Sequence, residues 1–145
     1  MMLNLIKFNM VRTTFFWIFF FILLNISCGK KDDENRFDML TRPTWASDSL
    51  LVNGLAAGGP GQLLYKFKGN AKFNEDGTGT FGLYTGKWWF TANRTQIIIN
   101  SDSLKLPLTA IIRELTLSSL KITTAVPDTA HIGSMLAIRM TFKAK

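Results

Sequence analysis

The sequence predicts an all-β fold, one antiparallel sheet closed into a barrel, and three observations carry that prediction. The dominant hydrophobic period is two: Leu136, Ile138, Met140 and Phe142 alternate with Ala137, Arg139, Thr141 and Lys143, the pattern of a strand with one buried face. Turn chemistry punctuates such runs, as in Asn74-Glu75-Asp76-Gly77, Ala92-Asn93-Arg94-Thr95 and Ser118-Ser119, where Asp-Gly favours the positive φ of a tight hairpin. Counting runs gives about eight or nine short strands in roughly 105 residues, a meander spacing. A sheet of that size covers its apolar face by closing or by packing on a second sheet, and in/out alternation along each strand favours closure.

The chain does not begin as a strand. Residues 15–26, Phe-Phe-Trp-Ile-Phe-Phe-Phe-Ile-Leu-Leu-Asn-Ile, form an apolar run of twelve, short of the roughly 20 residues a helix needs to cross a bilayer core. Lys7 and Arg12 precede it and no acid appears before Asp32. That is the layout of a signal peptide, whether translation starts at Met1, Met2 or Met10. Cys28, the only cysteine, ends the run, and Gly29-Lys30-Lys31-Asp32-Asp33-Glu34 follows it. A lone cysteine in an exported chain has no internal disulfide partner, so modification is the economical account; the alternative is an ordinary signal peptide with a free thiol. The boundaries are residues 1–27 for the leader, 28–39 for a polar, flexible tether and 40–145 for the folded domain.

Within the domain, 65–68 alternate as Tyr65 and Phe67 against Lys66 and Lys68, and Leu104, Leu106 and Leu108 alternate with Ser103, Lys105 and Pro107. Both patterns read as strands, with Pro107 marking an edge or a bulge. Residues 71–74 and 78–83 pair across Asp76-Gly77, 87–90 with 96–100, and 113–117 with 120–124. Residues 56–61 and 126–134 are loops. The stripe Ala110-Ile111-Ile112-Arg113-Glu114 is a helix candidate too short to stand alone.

Leu24-Asn25-Ile26-Ser27-Cys28 resembles the lipobox of bacterial lipoproteins, with a small residue before the cysteine and Asn25 where an aliphatic residue is usual. The resemblance implies a diacylglyceryl group on Cys28 and acylation of the new amino terminus, hence a membrane partner held through lipid. Each buried CH₂ contributes about 0.8 kcal/mol, and more than one chain anchors stably. Lys31-Asp32-Asp33-Glu34 is similar to the export signal of Bacteroidetes surface lipoproteins. It implies an outer-membrane protein displayed at the cell surface; the periplasmic face is the alternative.

Three further pieces resemble the small lipocalin-like domains of Bacteroidetes lipoproteins. They are Trp45 with Asn53-Gly54; residues 73–81 leading to Gly86-Lys87-Trp88; and residues 112–122, a Leu-Thr turn followed by an alternating strand. Pro43 in Pro43-Thr44-Trp45 stands where that family carries glycine. The resemblance implies an up-and-down barrel of about eight strands, sometimes with a cup for a small apolar molecule. Tyr65, Phe67, Phe73, Phe81, Trp88 and Phe90 are the candidate ligand contacts, and the same rings serve equally as core.

Removing residues 1–27 takes two of the 17 basic residues and none of the 10 acidic ones, leaving 15 against 10, a net +5 over 118 residues. The cations are scattered among apolar residues as on the wet face of strands, so no nucleic-acid partner is expected. A weak attraction to anionic polysaccharide or lipid headgroups stays open. His131 is the only histidine and lies near Asp128; without a second His or a free Cys no metal set or cofactor is expected. Glu75, Asp76 and Asp102 sit in turns, where short acids serve the backbone. Asn93-Arg94-Thr95 is formally a glycosylation sequon, and the glycines of 58–61 lack the lysine and helix of a phosphate loop. No nucleophile, base and orienting group assemble, so no catalytic residue and no enzyme is expected. Two functions remain: a barrel that binds a small hydrophobic ligand or glycan, or a filled barrel that engages an envelope protein through its loops. The volume inside the barrel separates them.

Overall fold

The computed structural model describes residues 29–145 apart from 102, 103 and 105. Cys28 and the leader therefore lie outside the described residues, as does Asp102. The chain divides into two compact units, Met1–Glu34 and Asn35–Lys145, and the second is the barrel.

Its strands are β1 (Trp45–Val52), β2 (Leu55–Ala56), β3 (Asn70–Phe73), β4 (Thr78–Phe81), β5 (Tyr84–Phe90), β6 (Gln96–Asn100), β7 (Leu108–Leu115), β8 (Ser119–Pro127) and β9 (Met135–Ala144). From β3 to β9 each pairs antiparallel with its successor, and β1 pairs with both β3 and β9, which closes the ring. β2 has two residues and shares one edge of β1 with β3: it pairs at Leu51 and Val52, β3 at Trp45 and Ala46. The closed ring is thus an eight-stranded antiparallel barrel, as the alternating pattern predicts. Closure leaves no long unpaired edge.

The hairpins fall where the turn residues put them. Phe73 stands opposite Gly79, Trp88 opposite Ile99 and Leu115 opposite Leu120. Asn53 (φ 51°) and Gly54 (φ 83°) make the β1–β2 turn, a conformation that Asn-Gly reaches at little cost. Register gaps interrupt β1 between Ser47 and Ser49 and β7 between Ile112 and Glu114; such bulges bend strands and raise the twist that closure needs.

Three local expectations are corrected. Residues 65–67 form a 3-10 turn, not a strand. β2 and β3 already take that edge of β1, so the segment meets its backbone needs with its own bonds, Phe67 N–H to the Leu64 carbonyl and Lys68 N–H to that of Tyr65. Among the described residues of 101–107 no strand forms: Leu104 N–H turns back to the Ser101 carbonyl, Leu106 is exposed, and the strand starts at Leu108, just past Pro107. Ala110-Ile111-Ile112-Arg113-Glu114 lies inside β7, where alternate burial of Ala110 and Ile112 overrides its helical stripe.

The stretch expected as a flexible tether is helical: α1 spans Gly29–Thr41 and includes Lys31, Asp32, Asp33 and Glu34. Within the barrel unit, residues 35–41 dock on one end of the sheet. Leu40 is fully buried, Phe37 packs on the core, and Arg36 Nε donates to the Arg94 carbonyl at 3.0 Å. Pro43 stops the helix, since the residue before a proline disfavours helical geometry. Lys72 Nζ then donates to the carbonyls of Thr41 (2.6 Å) and Arg42 (2.8 Å), satisfying groups a helix end leaves open.

Candidate functional site

Two places carry enough geometry to bind something: the inside of the barrel and one stretch of its outer wall.

Inside, the candidate ligand contacts do not line one cup. Phe73, Phe81 and Trp88 are buried, Phe67 and Phe90 pack against the core from partly buried positions, and Tyr65 is exposed. Phe81 meets Phe73 edge to face at 5.2 Å between ring centres, Phe73 meets Trp88 at 5.3 Å and Trp88 meets Phe90 at 5.4 Å. Phe37 from α1 stacks on Trp88 at 5.9 Å. The Trp88 indole N–H donates to the Asn74 carbonyl at 3.0 Å. Phe67 belongs to a second pair, 4.7 Å from Tyr84. Alternation along β5 places Trp88 and Phe90 inward and Trp89 outward, 43% exposed.

The space left among Phe67, Phe73, Phe81, Ile99, Ile122 and Met140 amounts to about 10 Å³. A water needs roughly 10–15 Å³ and a small organic ligand about 300–1,000 Å³. Both ends are shut. At one, Trp45 is fully buried and its indole N–H donates to the Leu40 carbonyl at 2.9 Å, so Pro43 does not keep it from the core. At the other, residues 57–69 fold back on the sheet: Ala57 N–H bonds the Leu50 carbonyl, Leu64 N–H the Ala57 carbonyl and Leu83 N–H the Lys66 carbonyl. Ala57 and Leu64 are buried there.

Outside, a groove of about 600 Å³ crosses the wall formed by β6, β7, β8, β9 and the end of β1. Its floor is small side chains, Thr109, Thr123, Ala125 and Ala137, and its borders are larger ones, Ile111, Leu51, Arg113 and Arg139. The sequence reading missed it. Each of these residues looks like an ordinary outward position, and only the bend of the wall makes a hollow of them.

The remaining polar candidates serve local structure. His131 Nδ1 lies 2.9 Å from Asp128 Oδ2 at an exposed loop; the His131 contact, with the Ala130 N–H, lowers the Asp128 pKa. Asp76 Oδ1 accepts from the Thr78 hydroxyl (2.6 Å) and backbone N–H (2.9 Å), which lowers its pKa and braces the hairpin. Glu114 and Asp48 are lowered chiefly by hydrogen bonds from Lys121 and Lys143. Among the described residues no cluster of three or more His, Cys, Asp or Glu has the geometry to hold a metal ion. No known protein family matches this chain, and no curated protein does.

Proposed function

We propose that this chain is an envelope lipoprotein, lipid-anchored through Cys28 and exported to the cell surface by the run Lys31-Asp32-Asp33-Glu34. Its barrel serves as an interaction module for an envelope protein rather than as a carrier of a molecule inside. The observation behind this choice is the space of about 10 Å³ among Phe67, Phe73, Phe81, Ile99, Ile122 and Met140: a barrel packed there with its own rings favours action through its exterior.

The loops support a protein partner. In an up-and-down barrel successive turns alternate between the two ends, so the turn at Asn53-Gly54, the turn at 82–83 and the loops 101–107 and 128–134 share the end opposite α1. That end exposes Leu55 (74%), Leu83 (71%), Leu106 (73%) and Ile132 (103%). Exposed aliphatic side chains gathered at one end mark interaction sites more often than scattered ones do.

The test is photocrosslinking in the native host from positions 83 and 132, with position 75, exposed in the β3–β4 turn at the α1 end, as an off-site control. A discrete protein adduct from 83 and 132, lost on Leu55→Asp, is expected. Tryptophan fluorescence that responds to a fatty-acid or retinoid panel through Trp88 overturns the filled-barrel reading. Palmitate labelling that persists in Cys28→Ser overturns the anchor, and resistance to protease on intact cells overturns surface display.

A further inference from the structure

The outer groove carries two arginines and no carboxylate. Its central row is set by strand register: Gln96 stands opposite Ile111, Ile111 opposite Thr123, Thr123 opposite Arg139, and Arg139 opposite Leu51. Arg113 sits in the β7 bulge and reaches across, its Nε donating to Thr123 Oγ1 at 2.9 Å. Arg113 thus bonds a threonine whose direct cross-strand neighbour on β9 is Arg139.

Elsewhere on this wall the strand cations have acids beside them. Lys121 pairs with Glu114 at 2.7 Å and Lys143 with Asp48 at 2.7 Å. No carboxylate lines the groove, and among the described residues Arg139 makes no ion pair. The pair of arginines lies over a floor of Thr, Ala, Ile and Leu, without an aromatic ring on which a sugar or base would stack. A guanidinium matches a carboxylate in a two-bond fork, and the floor matches an aliphatic chain. The volume falls within the range of small-ligand sites.

We propose that this groove binds a single-chain amphiphilic carboxylate, of which a fatty acid is the simplest. The carboxylate lies between Arg113 and Arg139, and the chain runs over Ile111, Ala125 and Ala137 toward Leu51. The inference rests on the reading that the barrel interior is closed, because an open interior would compete for the same chain.

The experiment is photolabelling of the full chain with a diazirine-bearing palmitate, followed by mapping of the adducts by mass spectrometry. Adducts are expected on the peptides carrying Thr109, Thr123, Ala125 and Ala137. Excess palmitate should displace them and hexadecylamine should not. Arg113→Gln with Arg139→Gln should cut groove labelling at least tenfold at an unchanged unfolding midpoint. Labelling that survives this double change, or yields equally to the amine, overturns the proposal and leaves the closed interior standing. Adducts on Phe73 or Phe81 overturn both readings. A protein adduct from a photocrosslinker at Thr123, with no palmitate labelling of the groove, overturns the proposal in favour of a protein segment there.

Discussion

Phe73→Ala tests whether the barrel is filled by its own rings. Phe73 is 2% exposed and makes edge-to-face contacts with Phe81 and Trp88. Withdrawing its ring from the core forfeits about 2 kcal/mol of transfer free energy. Two aromatic contacts add about 0.5–1.5 kcal/mol each, for a total near 3–5 kcal/mol, the range measured for Phe→Ala in cores. At about 4 °C per kcal/mol for a domain this size, the melting midpoint should fall by about 12–20 °C. Urea denaturation gives the free energy directly. A second readout separates a filled interior from a hollow one: benzene should leave the parent's midpoint in place and raise that of Phe73→Ala. At tenfold excess over its Kd it restores about 1.4 kcal/mol. Should Phe73→Ala be too unstable to study, Trp88→Phe, which gives up the hydrogen bond to Asn74 and part of the ring, should cost about 1–2 kcal/mol. A loss below about 1 kcal/mol for Phe73→Ala, or a parent stabilised by benzene, would falsify the packed interior.

Three other perturbations probe how the barrel is held. A Cβ at Gly86 would collide with the Asn100 carbonyl on the neighbouring strand, so Gly86→Ala should cost more than about 2 kcal/mol; a variant with the parent's urea midpoint refutes that packing. Lys72→Met removes the ammonium bonds to the Thr41 and Arg42 carbonyls and should cost about 1.5–3 kcal/mol, with faster amide exchange in residues 35–41; unchanged exchange there removes Lys72 as the latch. The Asp76 carboxyl is held below the ordinary aspartate value of about 3.9 by the Thr78 hydroxyl and N–H. Its contribution is therefore complete above that value and lost as pH falls through the depressed one. Stability measured from pH 7 to pH 3 should decline less steeply in Asp76→Asn than in the parent, and parallel curves contradict this sign.

Strand existence was readable because alternation and turns are local. Leu136 to Phe142 announce a buried face by their spacing alone, and Asp76-Gly77 announces a hairpin without reference to anything distant. The same local logic misread 65–67, whose alternation matches a strand but whose place on the sheet is already taken, and it read residues 35–39 as tether although they are helical and Phe37 packs on the core. The signal there was thin, Phe37 and Leu40 three apart in a charged segment. Their burial depends on meeting Trp88 and Trp45 from strands far along the chain.

The sequence by itself determined that the chain would make an antiparallel β-sheet, where most of its turns would fall and which face of each strand would be dry, because these follow from side-chain period and backbone preference. Only the tertiary structure decided how the candidate rings meet, since Phe73, Phe81 and Trp88 from β3, β4 and β5 and Phe37 from α1 come together edge to face or stacked and leave about 10 Å³ among Phe67, Phe73 and Phe81. It alone also decided that Arg113 bonds Thr123 and that Arg139 stands across from the same residue, because a single-residue bulge and the register of three strands set those positions.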